Sequence, residues 1–471
     1  MRNPIKEAIE IYDVEKDVKK DVKGSSRKII KQKQDALKKS IKEGSAASVA
    51  SSLGGSYITP FAVAINSTNF QIGLLSALSG LVAPITQLWG SKLMEHFPRK
   101  KIVLKFVFLE ALMWLPLLIL SLLAWKNLIP NYASYLLIVF YLLLVLFGNI
   151  AYPPWFSWMG DLVPEKDRGK YFATRTWITG IIGLVAFAIG GFILKFFQNY
   201  NLALIGFALL FLLSFIFRMI SFSTFKKQYS PNLKITKEYY FSFFSFLRRY
   251  DSFGKFAVYQ VVFYFAIMIA SPFISVYMLK ELNFSYVTYM IVSLSSSIFY
   301  LLFTPLVGKF SDKFGNTKLF YISNICFALT PIFWIFLKAP LWLILIPKLI
   351  SGIANATLTI AFTNFTYNSS SPEHRSLCVT YANLLVGIGT FVGSILGGFL
   401  MKYISLSFVS TYFLVFALSA LLRLTTGIFF LPKIKEKIAF KKLPRHPMHV
   451  SLVHPFKTVH AEIGWFRNVF R

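Results

Sequence analysis

The chain has 471 residues, of which 55% are hydrophobic and only 15% are charged. A soluble domain normally carries about 25% charged residues, and no strand-like alternation is sustained here, so composition argues against a soluble fold and a membrane β-barrel. The 50 Lys and Arg exceed the 20 Asp and Glu, giving a formal net charge of +30. That charge would indicate nucleic-acid binding in a soluble protein; in a membrane protein basic cytoplasmic loops explain it, so no nucleic-acid partner is expected.

Residues 1–44 are polar and rich in lysine, and they contain no apolar stretch of the kind that a cleavable signal peptide needs. Val14, Val18 and Val22 recur at helical spacing, and so do Leu37 and Ile41. The sequence therefore predicts a basic cytoplasmic amino-terminal segment. It is either a solvated pair of helices or a segment that rests on anionic lipid headgroups.

Twelve apolar segments follow, each long enough to cross the hydrocarbon core of a membrane as a helix, which is about 30 Å thick. The first six are expected at about 45–66, 70–94, 102–125, 131–160, 171–196 and 202–225. The second six are expected at about 253–279, 284–308, 317–338, 340–368, 376–401 and 407–431. The predicted fold is an all-α polytopic membrane protein, with six-helix halves at 45–225 and 252–431, a cytoplasmic linker at 226–251 and a basic tail at 432–471.

Lysine and arginine fall almost entirely on one side of this topology. The opposite loops hold five: Lys126, Lys195, Lys280, Lys338 and Lys402. Three more lie well inside apolar segments: Arg218, Lys348 and Arg423. The remaining 42 of the 50 lie in the termini, in the alternate loops or at the segment ends that border them. The positive-inside rule therefore predicts a cell-membrane protein with both termini in the cytoplasm.

The two halves repeat each other. Arg168 matches Arg375 and Gly190 matches Gly397, both at an offset of 207 residues with no gap between them. Six helices in each half mean that the second half crosses the membrane in the same direction as the first. A parallel repeat of this kind is a known architecture of secondary transporters.

The turns between helices two and three of each half carry a shared basic motif. In the second half it reads Gly308, Lys309, Phe310, Ser311, Asp312, Lys313, Phe314 and Gly315, followed by Lys318. In the first half it is weaker and reads Gly90, Glu95, His96, Phe97, Pro98, Arg99 and Lys100. Pro164-Glu165 and Pro372-Glu373 also follow helix four of each half. On these residues, 45–431 resembles the major facilitator superfamily, with no subfamily identified.

The resemblance implies a secondary transporter that moves a small solute by alternating access, as a monomer, without a cofactor and without enzymatic activity. It also implies that the basic turns latch the inner helix ends, with Arg99 paired to Asp161 and Glu95 capping a helix end. The second-half counterpart of Asp161 falls near Ser369. The latch of the second half is therefore expected to lack a carboxylate. The candidate gating residues are Gly90, Glu95, Arg99, Lys100, Asp161, Arg168, Gly308, Asp312, Lys313, Gly315 and Arg375. The alternative is that these turns only follow the positive-inside rule.

In the family, helices one, four, seven and ten line the substrate cavity. At mid-depth they offer an aromatic and amide surface: Tyr57, Asn149, Trp155, Gln260, Tyr264 and Asn355. That surface suits a neutral or amphiphilic solute, or an anion that binds Lys348. Uptake and efflux both remain open.

Two intramembrane charges are functional candidates because ionisable groups at such depth are expensive. Glu110 lies about 12 Å beyond the inner end of helix three, and Lys348 lies at a similar depth from the outer end of helix ten. Glu110 is the leading proton carrier, since the six histidines fall in cytoplasmic regions and helix one, taken from residue 45, holds no acid. The alternatives are a structural pair for Glu110 and a side chain reaching to the surface for Lys348, as we also expect for Arg218 and Arg423.

Other classes of function lack their motifs. The sequence contains no Gly-x-x-x-x-Gly-Lys-Ser/Thr phosphate-binding loop. No metal-ligand cluster or nucleophile triad can be assembled from the apolar segments, so neither an enzyme nor a metal site is expected. One alternative stays open, a transporter-like membrane sensor or scaffold that acts through its basic termini.

Overall fold

The computed structural model describes residues 24–163, 168–231, 252–369, 375–404 and 410–434. Residues 1–23, most of the linker and nearly all of the tail lie outside this part, as do the Pro-Glu pairs of the repeat. Every regular element in the described ranges is helical, which confirms the predicted all-α fold.

Six helical segments form the first half. They are α1 (Gly24–Leu53, a 3-10 turn at Gly55–Tyr57, and Ile58–Ala64), α2 (Asn69–Leu93), α3 (Arg99–Leu112 and Trp114–Trp125), α4 (Ala133–Leu162), α5 (Arg168–Asn199) and α6 (Ala203–Lys226). Six more form the second half. They are α7 (Ser252–Val276, ending in a π-helical turn at Tyr277–Glu281), α8 (Tyr286–Phe314), α9 (Asn316–Phe336), α10 (Pro340–Leu343, a π-helical turn at Ile344–Lys348, and Leu349–Ser369), α11 (Arg375–Tyr403) and α12 (Thr411–Phe430).

Eleven of these segments are long and apolar enough to cross a membrane, counting only the described residues. The exception is α1, because its regular helix stops at Leu53, early in the apolar stretch. A Cβ on Gly54 would lie 2.7 Å from Ser214 Oγ on α6 and closer still to the ring of Trp114 on α3. The first helix is thus interrupted where its backbone directly contacts two neighbours.

The helix of α1 begins at Gly24, well before the predicted start of the first apolar segment at residue 45. Its amino-terminal part packs against α5 and α6, and Ala36, Leu37, Ser40 and Glu43 are buried. These residues recur at three- and four-residue intervals and so share one face of the helix. Lysines on the other faces hide this pattern in an averaged hydropathy profile. The expectation that helix one carries no acid is therefore wrong, because Glu43 belongs to it.

Asparagines form the turns at the carboxyl ends of four segments. Asn66, Asn127, Asn201 and Asn283 follow α1, α3, α5 and α7, with φ of 58°, 53°, 57° and 51°. Asparagine tolerates this left-handed conformation better than other residues with a side chain, and it commonly ends helices in this way. The next segment then starts within a few residues, as at α2, where Thr68 and Gln71 form a capping box.

Each half has its own aromatic core. In the first half the buried Trp158 and Met159 of α4 pack with Val103 and Val107 of α3 and with Leu37 of α1. In the second half Phe256 of α7 lies 5.0 Å from Phe320 and 4.8 Å from Phe365, measured between ring centroids. By contacts the chain divides into two compact units. The unit built on the first half also contains Pro272–Ile291 and Ser394–Tyr403.

Candidate functional site

A buried ion pair joins α3 to α6. Arg218 Nη2 donates a hydrogen bond to Glu110 Oε2, and the two side chains are 13% and 14% exposed. The sequence predicted that Glu110 lies deep and that Arg218 reaches to the membrane surface. The first expectation agrees with this burial. The second is wrong, because the carboxylate holds the guanidinium inside the bundle.

The pair continues into a second ion pair between α1 and α5. Arg218 Nη1 donates to Ser221 Oγ at 3.3 Å, and Ser221 Oγ lies 3.4 Å from Glu43 Oε2. Glu43 Oε1 in turn lies 2.7 Å from Arg175 Nη2. We call Glu43, Glu110, Arg175 and Arg218 the four-charge network.

The four-charge network is electrically balanced, with two carboxylates facing two guanidinium groups. Taking each ion out of water costs several kcal/mol, which is recovered only when the charges are paired and hydrogen-bonded. Arg175 gains a further contact, since its guanidinium carbon lies 4.7 Å from the ring centroid of Trp155 on α4. One proton added to either carboxylate would leave an excess positive charge among the helices.

Glu43 and Arg175 were missed by the sequence reasoning. Both lie at the polar borders of apolar segments, where a charge is easily assigned to a loop. The signal that could have found Glu43 is its spacing from Ala36, Ser40 and Ala50, which places it on one face of a continuous helix.

The matching arginine of the second half donates to backbone carbonyls. Arg423 on α12 is 3% exposed and donates from Nη1 to the carbonyl of Phe327 at 2.7 Å. Its Nη2 donates to the carbonyl of Ile267 at 3.1 Å. Among the described side chains no ion pair to Arg423 is present, and the expectation that it reaches to the surface is wrong.

The turn between α2 and α3, which is the inner turn of the predicted topology, forms a second polar site. Arg99 Nη2 lies 2.7 Å from Asp161 Oδ2, and the two side chains are 2% and 46% exposed. Arg99 also donates from Nη1 to the carbonyl of Ser157 at 2.9 Å and from Nη2 to the carbonyl of Pro231 at 3.2 Å. One arginine thus links the start of α3, the end of α4 and the start of the linker.

Neighbouring residues hold the same stretch of chain. Lys100 Nζ donates to the carbonyls of Lys226 and Gln228, at 2.9 and 2.7 Å. Trp158 Nε1 donates to the carbonyl of Tyr229 at 3.0 Å. The first residues after α6 are therefore fixed by side chains from α3 and α4, a feature that the loop motif alone did not suggest.

The equivalent turn of the second half contains hydrogen bonds between neutral side chains. Ser311 Oγ donates to Asn316 Oδ1 at 2.7 Å and accepts from Asn364 Nδ2 at 3.0 Å. Gly315 has a left-handed backbone, with φ of 87°, and it connects α8 to α9. Lys313 Nζ lies 5.2 Å from the ring centroid of Phe314. The latch at this turn was expected to lack a carboxylate. Asn316 and Asn364 supply polar contacts there, and the sequence reasoning missed both.

The remaining gating candidates are partly described. Gly90 lies against α4, where a Cβ would overlap the carbonyl of Ile150. Around Gly308, by contrast, the described residues leave open space. Glu95 lies on an exposed turn between α2 and α3. The side chains of Arg168, Asp312 and Arg375 lie outside the described part of the structure.

Three of the six expected cavity residues are engaged within one half. Tyr57 is fully buried and its hydroxyl donates to the carbonyl of Phe187 on α5 at 2.6 Å. Asn149 on α4 accepts from Gln87 of α2 at 2.9 Å. Trp155 lies beneath Arg175. These contacts differ from the expected role of lining a solute cavity, because each side chain holds helices of the first half together.

The second-half candidates are less constrained. Gln260 is 2% exposed, and its Oε1 has no hydrogen-bond donor in the described part of the chain. Tyr264 is half-buried beside Phe263, and Asn355 is exposed and donates to the carbonyl of Ser351 at 2.7 Å. Lys348 lies in the π-helical turn of α10, with Nζ 5.5 Å from the ring centroid of Trp334. No group of three or more potential metal ligands occurs in the described residues.

Comparison with known proteins gives a family match along most of the chain. The sequence model of the Major Facilitator Superfamily matches residues 45–249 and 256–463. The class B tetracycline resistance protein of Escherichia coli is 31% identical over 99 residues, which cover 21% of this chain and 24% of that protein. The class H tetracycline resistance protein of Pasteurella multocida is 27% identical over 100 residues, with the same coverage. The chain thus aligns with about a quarter of each of these relatives.

Solved structures of transporters share the fold. A mutant of the nucleoside transporter NupG has a TM-score of 0.63 at 15% identity, over 84% of this chain and 100% of that one. A bacterial homologue of the human lysosomal transporter Spinster, in an inward-facing unoccupied conformation, has a TM-score of 0.62 at 13% identity, over 86% and 97%. A POT family transporter in complex with 5-aminolevulinic acid has a TM-score of 0.60 at 14% identity, over 85% and 96%. At these identities the likeness concerns the fold.

Proposed function

Because this chain belongs to the Major Facilitator Superfamily, we propose that it is a secondary transporter and that proton binding at Glu110 drives its transport cycle. The observation that carries this proposal is the ion pair of Glu110 with Arg218 inside the four-charge network. A carboxylate can gain and lose a proton during each cycle. A cycle driven by a proton gradient needs a group of this kind.

Protonation of Glu110 would break the pair with Arg218 and leave that guanidinium without its counter-ion. The helices α3 and α6 would then be stabilised by a different packing, in which Arg218 finds other acceptors. A ligand shifts a conformational equilibrium by its differential affinity for the two states, and a proton acts in the same way. The four-charge network can therefore convert proton binding into movement of helices.

The inner turn supplies a second switch. We assign the gating role to Arg99 and Asp161, whose ion pair joins α3 to α4 at the cytoplasmic end. Asp161 is half-exposed, so water can replace it as the partner of Arg99 at a modest cost. Contacts that form in one conformational state and break in the other need to stabilise the first state by only a few kcal/mol.

The transported solute is proposed to be small and either neutral or amphiphilic, with Lys348 as the candidate group for an anion. The sequence likeness to tetracycline resistance proteins makes efflux of an amphiphile the first case to test. The protein is proposed to act as a monomer in the cell membrane with both termini in the cytoplasm. Its basic inner surface would contact anionic lipid headgroups, without nucleic-acid binding and without enzymatic activity of its own.

Accumulation by proteoliposomes tests the proposal. Tetracycline and a panel of small solutes would be screened for uptake that depends on an imposed pH gradient. We expect Glu110→Gln to abolish the gradient-dependent part. Glu281→Gln, which neutralises an exposed carboxylate at the end of α7, is the matched control and should behave like the wild type. Full gradient-driven accumulation by Glu110→Gln would overturn the proposal.

A further inference from the structure

Two helices of the first half, α3 and α6, meet at a surface that is partly aromatic and partly basic. The ring of Phe108 on α3 lies 5.3 Å from the ring of Phe222 on α6, measured between centroids. The start of α3 lies beside the end of α6, since Lys100 Nζ donates to the carbonyl of Lys226. This end of the bundle is the one predicted to be cytoplasmic. We use the name α3–α6 seam for the surface formed by Lys101, Lys105, Phe108, Phe222 and Lys226.

The three lysines of the seam are exposed and leave the two helices at similar levels. At 1.5 Å per residue, Lys105 and Lys101 lie about 4.5 and 10.5 Å from Phe108 along α3, and Lys226 lies about 6 Å from Phe222 along α6. The spread among the lysines is thus about one helical turn. Nζ of Lys226 lies 5.4 Å from the ring centroid of Phe222, so the aromatic and basic parts of the seam adjoin.

Neighbouring cations at this end of the bundle have partners within the protein. Lys39 pairs with Asp35, and Arg99 pairs with Asp161. In the part of the chain that the structure describes, by contrast, no ion pair joins a lysine of the seam to a carboxylate. The seam therefore presents three positive charges that these carboxylates do not neutralise.

The surface continues from the lysines as apolar surface. Lys101, Lys105 and Phe108 recur at four- and three-residue intervals, so they share one face of α3. Farther along the two helices the exposed large side chains are apolar, and they include Ile119, Leu122, Leu212, Ile216 and Ile220. A surface with a basic end and an apolar remainder fits a molecule with an anionic head and acyl chains, and basic pockets between membrane helices bind phospholipid head groups in this way.

The second half repeats the helices but only one of the three lysines. When α9 is aligned with α3 at their first residues, Ile322 takes the place of Lys105, and one lysine is kept as Lys318. When α12 is aligned with α6 at their buried arginines, the buried Leu431 takes the place of Lys226. The packing of this fold therefore does not itself require lysines at these positions, which favours a role in binding.

We propose that the α3–α6 seam binds one phospholipid that carries two phosphates, of the cardiolipin class. Its phosphates face the three lysines, and its acyl chains lie along the apolar surface of α3 and α6. A lipid with one phosphate would leave two lysine charges without a counter-charge, whereas two phosphates leave one. The inference rests on the proposed contact of the basic inner surface with anionic lipid, for which it names the site and the lipid, and it is independent of Glu110.

Native mass spectrometry of the full-length protein in detergent tests the proposal. Cardiolipin, phosphatidylglycerol and phosphatidylcholine would be titrated at equal phosphate concentration, and the bound lipids counted. We expect one tightly held cardiolipin, with an affinity at least tenfold above that of phosphatidylglycerol and at least a hundredfold above that of phosphatidylcholine. Pyrophosphate has two phosphates but no acyl chain, and it should not displace the bound cardiolipin at equal concentration.

Charge variants locate the site. Lys105→Gln combined with Lys226→Gln changes two exposed side chains, so the melting temperature without lipid should not change. Its affinity for cardiolipin should fall about 25-fold, because each lysine near anionic lipid contributes about fivefold. Lys105→Gln alone should lose about fivefold. Lys126→Gln combined with Lys338→Gln is the matched control, since it removes two exposed lysines far from the seam in the sequence, and it should bind cardiolipin like the wild type.

Three results would overturn the proposal: equal affinity for cardiolipin and phosphatidylcholine, wild-type affinity in the Lys105→Gln and Lys226→Gln double variant, or equal losses in that variant and its control. Displacement of cardiolipin by an equal concentration of pyrophosphate would contradict a lipid site, because the acyl chains would then contribute nothing. Phosphatidylglycerol binding as tightly as cardiolipin would contradict the need for two phosphates. The proton-carrier role of Glu110 fails separately, if Glu110→Gln keeps gradient-driven accumulation.

Discussion

Arg218 and Arg423 lie at matching positions in the last helix of each half, yet they bind different acceptors. Arg218 donates to the carboxylate of Glu110, whereas Arg423 donates to the carbonyls of Phe327 and Ile267. A carboxylate is a titratable group, whereas a backbone carbonyl is not. The repeat has therefore kept the arginine in both halves but has given a titratable partner to the one in the first half.

This difference predicts unequal responses to loss of the two arginines. Arg218→Met leaves Glu110 buried without its partner, and removing one member of a buried pair costs about 3–5 kcal/mol. The melting temperature of the purified protein should fall, and adding Glu110→Gln to that variant should restore much of the loss. For Arg423→Met, adding Glu110→Gln should restore nothing. Purely additive melting temperatures for Arg218→Met and Glu110→Gln would show that the pair contributes no coupling.

The two motif glycines Gly90 and Gly308 form a second matched pair. A Cβ on Gly90 would overlap the carbonyl of Ile150, so we expect Gly90→Ala to force α2 and α4 apart at a cost of about 1–3 kcal/mol. Gly308 has open space around it, and Gly308→Ala should be neutral or should stabilise α8 by up to about 1 kcal/mol. Thermal unfolding of the two purified variants decides between these outcomes. Equal destabilisation by both would contradict the close approach at Gly90.

Asp161→Asn tests the inner turn. The substitution keeps the size of the side chain but removes the charge that Arg99 faces at 2.7 Å. We expect transport to fall by roughly five- to tenfold, the effect of a change of about 1–1.4 kcal/mol in the bias between two states. Membrane insertion and expression should be unchanged. Wild-type transport rates in this variant would mean that the pair only fastens the turn.

Tyr57→Phe separates packing from solute binding. The hydroxyl of Tyr57 donates to the carbonyl of Phe187, so its removal should cost about 1 kcal/mol of stability. The KM of the transported solute should not change, because the side chain is fully buried. A large rise in KM with unchanged stability would return Tyr57 to the group of solute-binding residues.

Hydropathy and charge predicted the helices of the fold well, because long apolar runs and basic loops are strong signals. The family model also confirms the resemblance that the loop motif indicated. The amino-terminal part of α1 was predicted as helical from Leu37 and Ile41, but its packing against the bundle was missed, because its buried stripe is narrow and lysines surround it. Hydropathy averaged over a window of residues does not show a stripe of that kind. The place of Glu43 on the buried face was missed for the same reason.

The sequence also did not show which side chains contact each other between helices. Sequence alone identified Glu110 and Arg218 separately but could not pair them, since the rotation of a helix about its axis is set by tertiary packing. For the same reason Tyr57 and Asn149 were placed toward a solute, although their polar groups bind neighbouring helices. The Arg99–Asp161 contact came from the family resemblance and not from spacing. Its gating role stays a prediction.

The most direct test of the central claim compares two modes of transport in Glu110→Gln. Proteoliposomes would be loaded with a transported solute, and exchange of labelled solute at equal pH would be measured beside accumulation driven by a pH gradient. We predict that exchange persists near the wild-type rate while gradient-driven accumulation is lost, because exchange needs the moving helices but not the proton. Retained gradient-driven accumulation in Glu110→Gln would contradict the assignment of Glu110 as the proton carrier.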